Sequence, residues 1–253
     1  MSNHIKIDTC DRVTTVTISR TEKKNAITQD MYAAMADAIN EYDSTDDARA
    51  IIITGDGDMF TSGNDLQDFS TGGDKDDDIP PVSRFLIAIK DCSKPVIAAV
   101  NGPAIGVGLT MLLHCDLVYA AESATFGAPF VKLGLVPEAA SSMLLPAAVG
   151  MAVANDILLA GRTLTAKEAL EHGLIARVFK EVELADAVRD IAISIAGAAP
   201  NALRRSKSLI RNNQERVSQH MMAEGQVFAE QLQSTDFMES VAAMMQKRQP
   251  VYS

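Results

Sequence analysis

Three segments combine residue types that chemistry uses. The first is Phe60-Thr61-Ser62-Gly63-Asn64-Asp65-Leu66. A glycine among small, turn-forming residues lets the backbone bend sharply and present its N–H groups. A turn built on an Asx motif explains the same composition. The second is Val100-Asn101-Gly102-Pro103-Ala104-Ile105-Gly106-Val107-Gly108-Leu109. A glycine-rich turn opening an apolar helix aims a helix N-terminus at negative charge, and close helix–strand packing calls for the same glycines. Neither GxGxxG nor GxxxxGKS/T is present, which excludes the two nucleotide loops. The third is Leu133-Gly134-Leu135-Val136-Pro137-Glu138-Ala139-Ala140. Glu138 is a lone carboxylate among apolar neighbours and is expensive to bury without a partner. It is either a proton-transfer group or a charge matched to a helix N-terminus.

Strands and helices must hold these segments. β-Branched residues dominate 13–18, which predicts a strand pairing with 5–7 across a turn at 9–12. Thr28 is placed to cap a helix on which Met31, Met35, Ala38, Ile39 and Tyr42 share a face. The apolar runs 50–54, 95–100 and 117–120 predict buried strands, and the first two lead into the first two chemical segments. Buried strands separated by helices imply an α/β core. Beyond about residue 144 the pattern is nearly all helical, with helices expected at 152–159, 183–198, 199–211, 217–233 and 236–246. A capping box at Thr165 and Glu168 opens one further helix, which stops at Gly173, and 176–179 predicts a short strand. Met221, Met222, Met244 and Met245 read as packing. Residues 69–81 carry Asp74, Asp76, Asp77, Asp78 and two prolines and read as a solvated loop. They lack the pattern of a calcium loop but are placed to lie over a ligand. No internal repeat is visible. The expected division is a core at 1–198 and a helical region at 199–253.

The chain has 253 residues, 47% hydrophobic and 22% charged, enough to bury a core and inconsistent with wholesale disorder. Its net charge of −10 argues against a nucleic-acid partner. The one basic cluster, Arg204, Arg205, Lys207 and Arg211, reads as a solvated helix face. Cys10, Cys92 and Cys115 fit reduced thiols and give no zinc spacing, so no metal is expected. No signal peptide, peroxisomal tripeptide or membrane-spanning run is recognised, which points to a cytoplasmic protein with no membrane partner.

The combination resembles one family. Thr21 to Thr28, with Asn25-Ala26-Ile27, is similar to the RPxxxNAL segment of the crotonase (enoyl-CoA hydratase/isomerase) superfamily. Phe60 to Leu66 resembles its FxxGxD segment, and Lys94-Pro95 through Asp116 its KPxIAAVNGxAxGxGxxLxxxCD segment. Ala124-Thr125-Phe126-Gly127 through Pro137 resembles its AxFxxPxxxLGxxP segment. The four match in order over nearly the whole chain.

The resemblance implies an α/β spiral of ββα units with C-terminal helices that assemble trimers or hexamers. It implies an acyl-CoA thioester substrate, with coenzyme A part of that substrate and no separate cofactor. Backbone N–H groups of Asn64 and Val107 would form an oxyanion hole, and Val107 stands where many relatives have glycine. Lys24, Ala26, Ser62, Gly63, Asn64, Asp65 and Leu66 would meet substrate or CoA, with Asp65 bracing the loop. Typical hydratases carry glutamates at the positions of Thr110 and Phe130, and both are missing here. The segment around Glu138 is instead similar to that of the 3,2-trans-enoyl-CoA isomerases, where the glutamate shuttles the proton. An isomerase with Glu138 as its single acid/base is therefore expected. The rivals are a hydratase, an acyl-CoA thioester hydrolase, a dehalogenase-like enzyme, or a non-catalytic acyl-CoA binder. His114 is read as a packing residue.

Overall fold

The computed structural model describes residues 2–65, 68 and 79–252. The acidic run 74–78 and Leu66 lie outside these. The first strands are β1 (Ile5–Cys10) and β2 (Val13–Ile18), antiparallel to each other. β1 is longer than the sequence suggests, because the reversal is a tight turn at Asp11 and Arg12, both left-handed (φ 53° and 63°). Helix α1 (Gln29–Ser44) is capped by the Thr28 side chain, which accepts from the Met31 N–H. Then come β3 (Ala50–Gly55), α2 (Pro81–Asp91), β4 (Val96–Val100), β5 (Ala104–Ile105) and a single helical turn, α3 (Val107–Thr110). The apolar run after Gly106 does not make a long helix: α3 passes into a 3₁₀ turn at Met111–His114. β6 (Leu117–Ala121), β7 (Thr125–Gly127), α4 (Ser141–Val149) and α5 (Met151–Leu158) follow.

The rest is β8 (Thr163–Thr165), α6 (Ala166–Glu171), β9 (Arg177–Phe179), α7 (Glu181–Ala196), α8 (Pro200–Ile210), α9 (Gln214–Gln231) and α10 (Thr235–Met245). The predicted capping box is present: Thr165 accepts from the Glu168 N–H and Glu168 accepts from the Thr165 N–H.

The main sheet has the order β1-β2-β3-β4-β6-β9, parallel from β2 onward. A smaller sheet, β5-β7-β8, lies apart from it and is invisible in the sequence, because strands of two or three residues carry no period. A recurrence absent from the residue pattern becomes plain in space. Each of β3, β4 and β6 enters the main sheet, continues into a short extended piece (a bridge at Thr61, then β5, then β7), and turns into a helix. This is the expected spiral of ββα turns.

Parallel strands are buried on both faces, and alternation sorts the side chains. Ile51 and Ile53 face the larger core with α1 and α2, whereas Ala50 and Ile52 face Leu184, Val188, Ala192 and Ala196 of α7. Lys94 is buried, with its ammonium donating to the carbonyls of Tyr42, Thr45 and Ala48 at the end of α1, where the helix dipole favours a cation.

Two expectations are corrected. Lys207 and Arg211 are not a solvated face: their side chains are 9% and 19% exposed and both pair with Asp116, at 2.6 and 2.9 Å. Met222, Met244 and Met245 are exposed rather than packed, and only Met221 of the four lies against the core.

Candidate active site

The first two chemical segments run side by side. The Thr61 N–H donates to the Pro103 carbonyl (3.1 Å) and the Ile105 N–H to the Thr61 carbonyl (3.0 Å). The pair brings Gly63 and Gly106 together. Both have positive φ (98° and 60°), and a Cβ on Gly63 would stand 3.0 Å from the Ile105 carbonyl oxygen. Only glycine fits such an approach without strain. Asn64 and Val107 follow these glycines. Among the described residues neither N–H has a hydrogen-bond acceptor, whereas the neighbouring Gly106 and Asp65 N–H groups are used, by Gly127 and Ile27. The Val107 side chain is buried in the core. The Tyr32 hydroxyl donates to the Asn64 side-chain oxygen.

The residues around this cradle are knotted together. Asp65 pairs with Arg20 at 2.6 Å, each 15% exposed, and Arg20 also donates to the Ala26 carbonyl (3.0 Å). The Ser62 N–H donates to the Lys24 carbonyl (3.0 Å). Buried Asn25 accepts from the Arg20 N–H and donates to the carbonyls of Asp56 and Met59. Lys24, Ala26, Ser62, Gly63, Asn64 and Asp65 thus belong to one loop cluster, and the Lys24 side chain is exposed.

Glu138 sits on the turn before α4. The Thr110 hydroxyl of α3 donates to its Oε1 at 2.5 Å. Burial pushes its pKa up to about 7. The Thr110 hydrogen bond opposes that rise, and the nearby Glu224 carboxylate adds to it. Glu138 does not serve the α4 N-terminus. Glu224 of α9 does that, accepting from the Ser142 N–H (2.9 Å) and hydroxyl (2.5 Å). Phe130, at the other position where hydratases carry glutamate, is buried.

An apolar cavity of about 670 Å³ opens at this point. Asn64, Glu138 and Ala139 line it. One wall is α2, through Val82, Leu86 and Ile87; the other is α9, through Met221, Met222, Gly225, Phe228, Ala229 and Leu232. The Gln214 amide ties the walls by donating to the Lys90 carbonyl (3.0 Å). Lys24, Ala26, Ser62, Gly63, Asp65 and Val107 do not line it. The sequence reading missed the α9 wall. Its signal, an i, i+3, i+4, i+7 face, is the same whether a helix covers a core or a ligand.

His114 is fully buried, its Nε2 2.8 Å from the Ala139 carbonyl. Burial holds its pKa down at about 4, so the ring is neutral at pH 7. Among the described residues no group of His, Cys, Asp or Glu is placed to hold a metal, and no helix is long and apolar enough to cross a membrane.

Comparison with known proteins agrees with this geometry. Residues 8–253 match the family model described as enoyl-CoA hydratase/isomerase. The chain is 40% identical over 208 residues to the rat enoyl-CoA delta isomerase 2, covering 80% of this chain and 53% of that protein. It therefore spans about half the length of that relative. It is 33% identical to a probable enoyl-CoA hydratase of Mycobacterium leprae, covering 98% and 97% of the two chains. It superposes on the crystal structure of an enoyl-CoA hydratase/isomerase from Pseudoalteromonas atlantica with a TM-score of 0.96 at 52% identity, over 99% and 100% of the chains. The chain belongs to the enoyl-CoA hydratase/isomerase family, that is, the crotonase superfamily.

Proposed function

We propose that this chain is a 3,2-enoyl-CoA isomerase with Glu138 as its single acid/base. One observation carries the reading: a carboxylate whose pKa is raised to about 7 lines an apolar cavity beside Asn64. Thr110 hydrogen-bonds to that carboxylate and Phe130 is a buried aromatic side chain, so neither hydratase glutamate position supplies a second acid or base. Among the described residues, the neighbouring Glu224 is engaged at Ser142, and Asp91, which also lines the cavity, pairs with Lys90.

Ionised Glu138 removes a proton from C2 of a 3-enoyl thioester. The C–H electron pair moves into the C1–C2 bond, and negative charge develops on the thioester oxygen. The N–H groups of Asn64 and Val107 receive that charge; losing one such donor typically costs about 2.7–4 kcal/mol of barrier. Glu138, now protonated, returns the proton at C4 as the electrons flow back, leaving the double bond between C2 and C3. A pKa near working pH suits a group that must take and then give the same proton. The apolar lining of the pocket helps to keep water from the dienolate. CoA lies against the backbone near Lys24, Ala26 and 62–66. Exposed Leu209, Ile210 and Met245 on the C-terminal helices suit assembly as trimers or hexamers. The reaction needs no cofactor beyond the CoA of the substrate, and a cytoplasmic setting fits it.

The test follows the wild-type protein on two substrates by ultraviolet absorbance. Appearance of conjugated 2-enoyl-CoA from a 3-enoyl-CoA, much faster than hydration of 2-enoyl-CoA, is expected. Faster hydration sinks the reading, release of free CoA indicates thioester hydrolysis, and binding without turnover indicates an acyl-CoA carrier.

A further inference from the structure

The two residues after Glu138, Ala139 and Ala140, both have left-handed backbone (φ 59° and 57°), and neither is glycine. That conformation crowds Cβ against the following carbonyl, so surrounding contacts must hold it. One contact is local: the Ser141 N–H donates to the Glu138 carbonyl at 3.0 Å. The other comes from 25 residues upstream, where His114 reaches the Ala139 carbonyl. A carbonyl only accepts, so Nε2 carries the ring hydrogen. The Nδ1 atom is then a buried acceptor, and among the described residues it has no partner.

A leucine or methionine would pack here without an orphaned nitrogen, which is costly to bury. The hydrogen bond to Ala139 is what histidine adds. It also leaves from the segment that serves the rest of the site. Val107, Thr110 and His114 lie close together in the chain, on α3 and its 3₁₀ continuation. That short segment meets the site through the free N–H of Val107, the Thr110 hydroxyl on Glu138, and the His114 imidazole on the next peptide.

We propose that His114 is a positioning residue: it locks the Ala139 peptide and so fixes the Glu138 carboxylate relative to the oxyanion donor at Val107. The inference rests on reading Glu138 as the acid/base. The charged and titratable groups around the pair are Arg211, Lys90 and Asp91 near the imidazole, and Glu224 and Tyr32 near the carboxylate.

The experiment compares His114→Leu and His114→Gln with the wild type on a 3-enoyl-CoA, with Glu138→Gln as reference. A glutamine amide can place a donor where Nε2 stands; leucine cannot. His114→Leu should lose kcat by roughly 10²-fold, the scale of a misplaced catalytic group, with KM within about threefold. Its rate-versus-pH limb should move to lower pH, because a loosened Glu138 meets water and its pKa falls. His114→Gln should recover most of both. A wild-type kcat and pH limb in His114→Leu, or equal losses in the two variants, overturns the proposal. If His114→Leu fails to fold, His114→Gln compared with His114→Asn, whose amide is too short to reach, decides on the same readouts. Wild-type turnover in Glu138→Gln would sink the acid/base reading itself, a result separate from a slow Glu138→Gln beside an unimpaired His114→Leu.

Discussion

On the proposed mechanism Glu138 must be ionised to begin the reaction, and burial raises its pKa to about 7. The rate should therefore rise with pH through about 7 and level off above. Thr110→Val removes a hydrogen bond that favours the carboxylate, so the limb should move to higher pH; an unmoved limb would show that Thr110 does not tune Glu138. The same shift has a stability consequence. A carboxyl whose pKa is raised on folding holds its proton more tightly in the folded state, so stability falls as pH rises from 4.5 towards 7. Glu138→Gln should be more stable than the wild type at pH 8, by on the order of 3 kcal/mol at most, with a higher melting temperature, and the difference should vanish near pH 4. Equal melting of the two proteins at pH 8 would mean that the carboxylate is not desolvated. Residues with a family motif around them, such as Gly63, Asn64, Val107 and Glu138, were legible in the sequence. The partners of Tyr32, His114 and Glu224 were not, because they lie 32, 25 and 82 residues away in the chain.

At the scale of elements, the cradle depends on two neighbouring turns. Gly63→Ala forces a Cβ into the left-handed region against the Ile105 carbonyl. It should cost kcat about 10²-fold by displacing the Asn64 donor; full activity would detach Asn64 from the oxyanion. The α9 wall offers a complementary change. Gly225 lines the cavity, and a Cβ there meets nothing within 4 Å. Gly225→Leu should fill the tail pocket and shift preference towards shorter acyl chains. It should also gain up to about 1 kcal/mol of stability from helix propensity. Unchanged chain-length preference, measured across a series of 3-enoyl-CoAs, would show that the tail does not run along α9. The long elements were readable because burial imposes a period: β3, β4 and α1 lie within a residue or two of their predicted bounds. The short β5, β7 and β8, and the collapse of the post-Gly106 helix into one turn, were not, since so few residues carry no period and their pairing partners are distant.

Across the whole molecule, Asp116 ties the main sheet to the C-terminal helices. It accepts from the Val96 N–H of β4 at 2.8 Å and pairs with Lys207 and Arg211, just upstream of the helix that walls the cavity. Asp116→Ala leaves two half-buried cations without their partner and should destabilise the fold by roughly 3 kcal/mol, with KM rising as α9 loosens. Denaturant unfolding and acyl-CoA binding measure the two effects, and a variant as stable as wild type would make the cluster incidental. In the sequence these cations looked like a solvated helix face, because helical spacing cannot show that an acidic partner arrives from some 90 residues away.

On the proposed mechanism one carboxylate moves the proton. The most direct measurement is turnover of a 3-enoyl-CoA by wild type and Glu138→Gln, with acyl-CoA binding measured on both. A collapse of kcat by at least about 10³-fold with binding retained is expected, since glutamine keeps the shape but cannot accept the proton. Equal rates in the two proteins would contradict it.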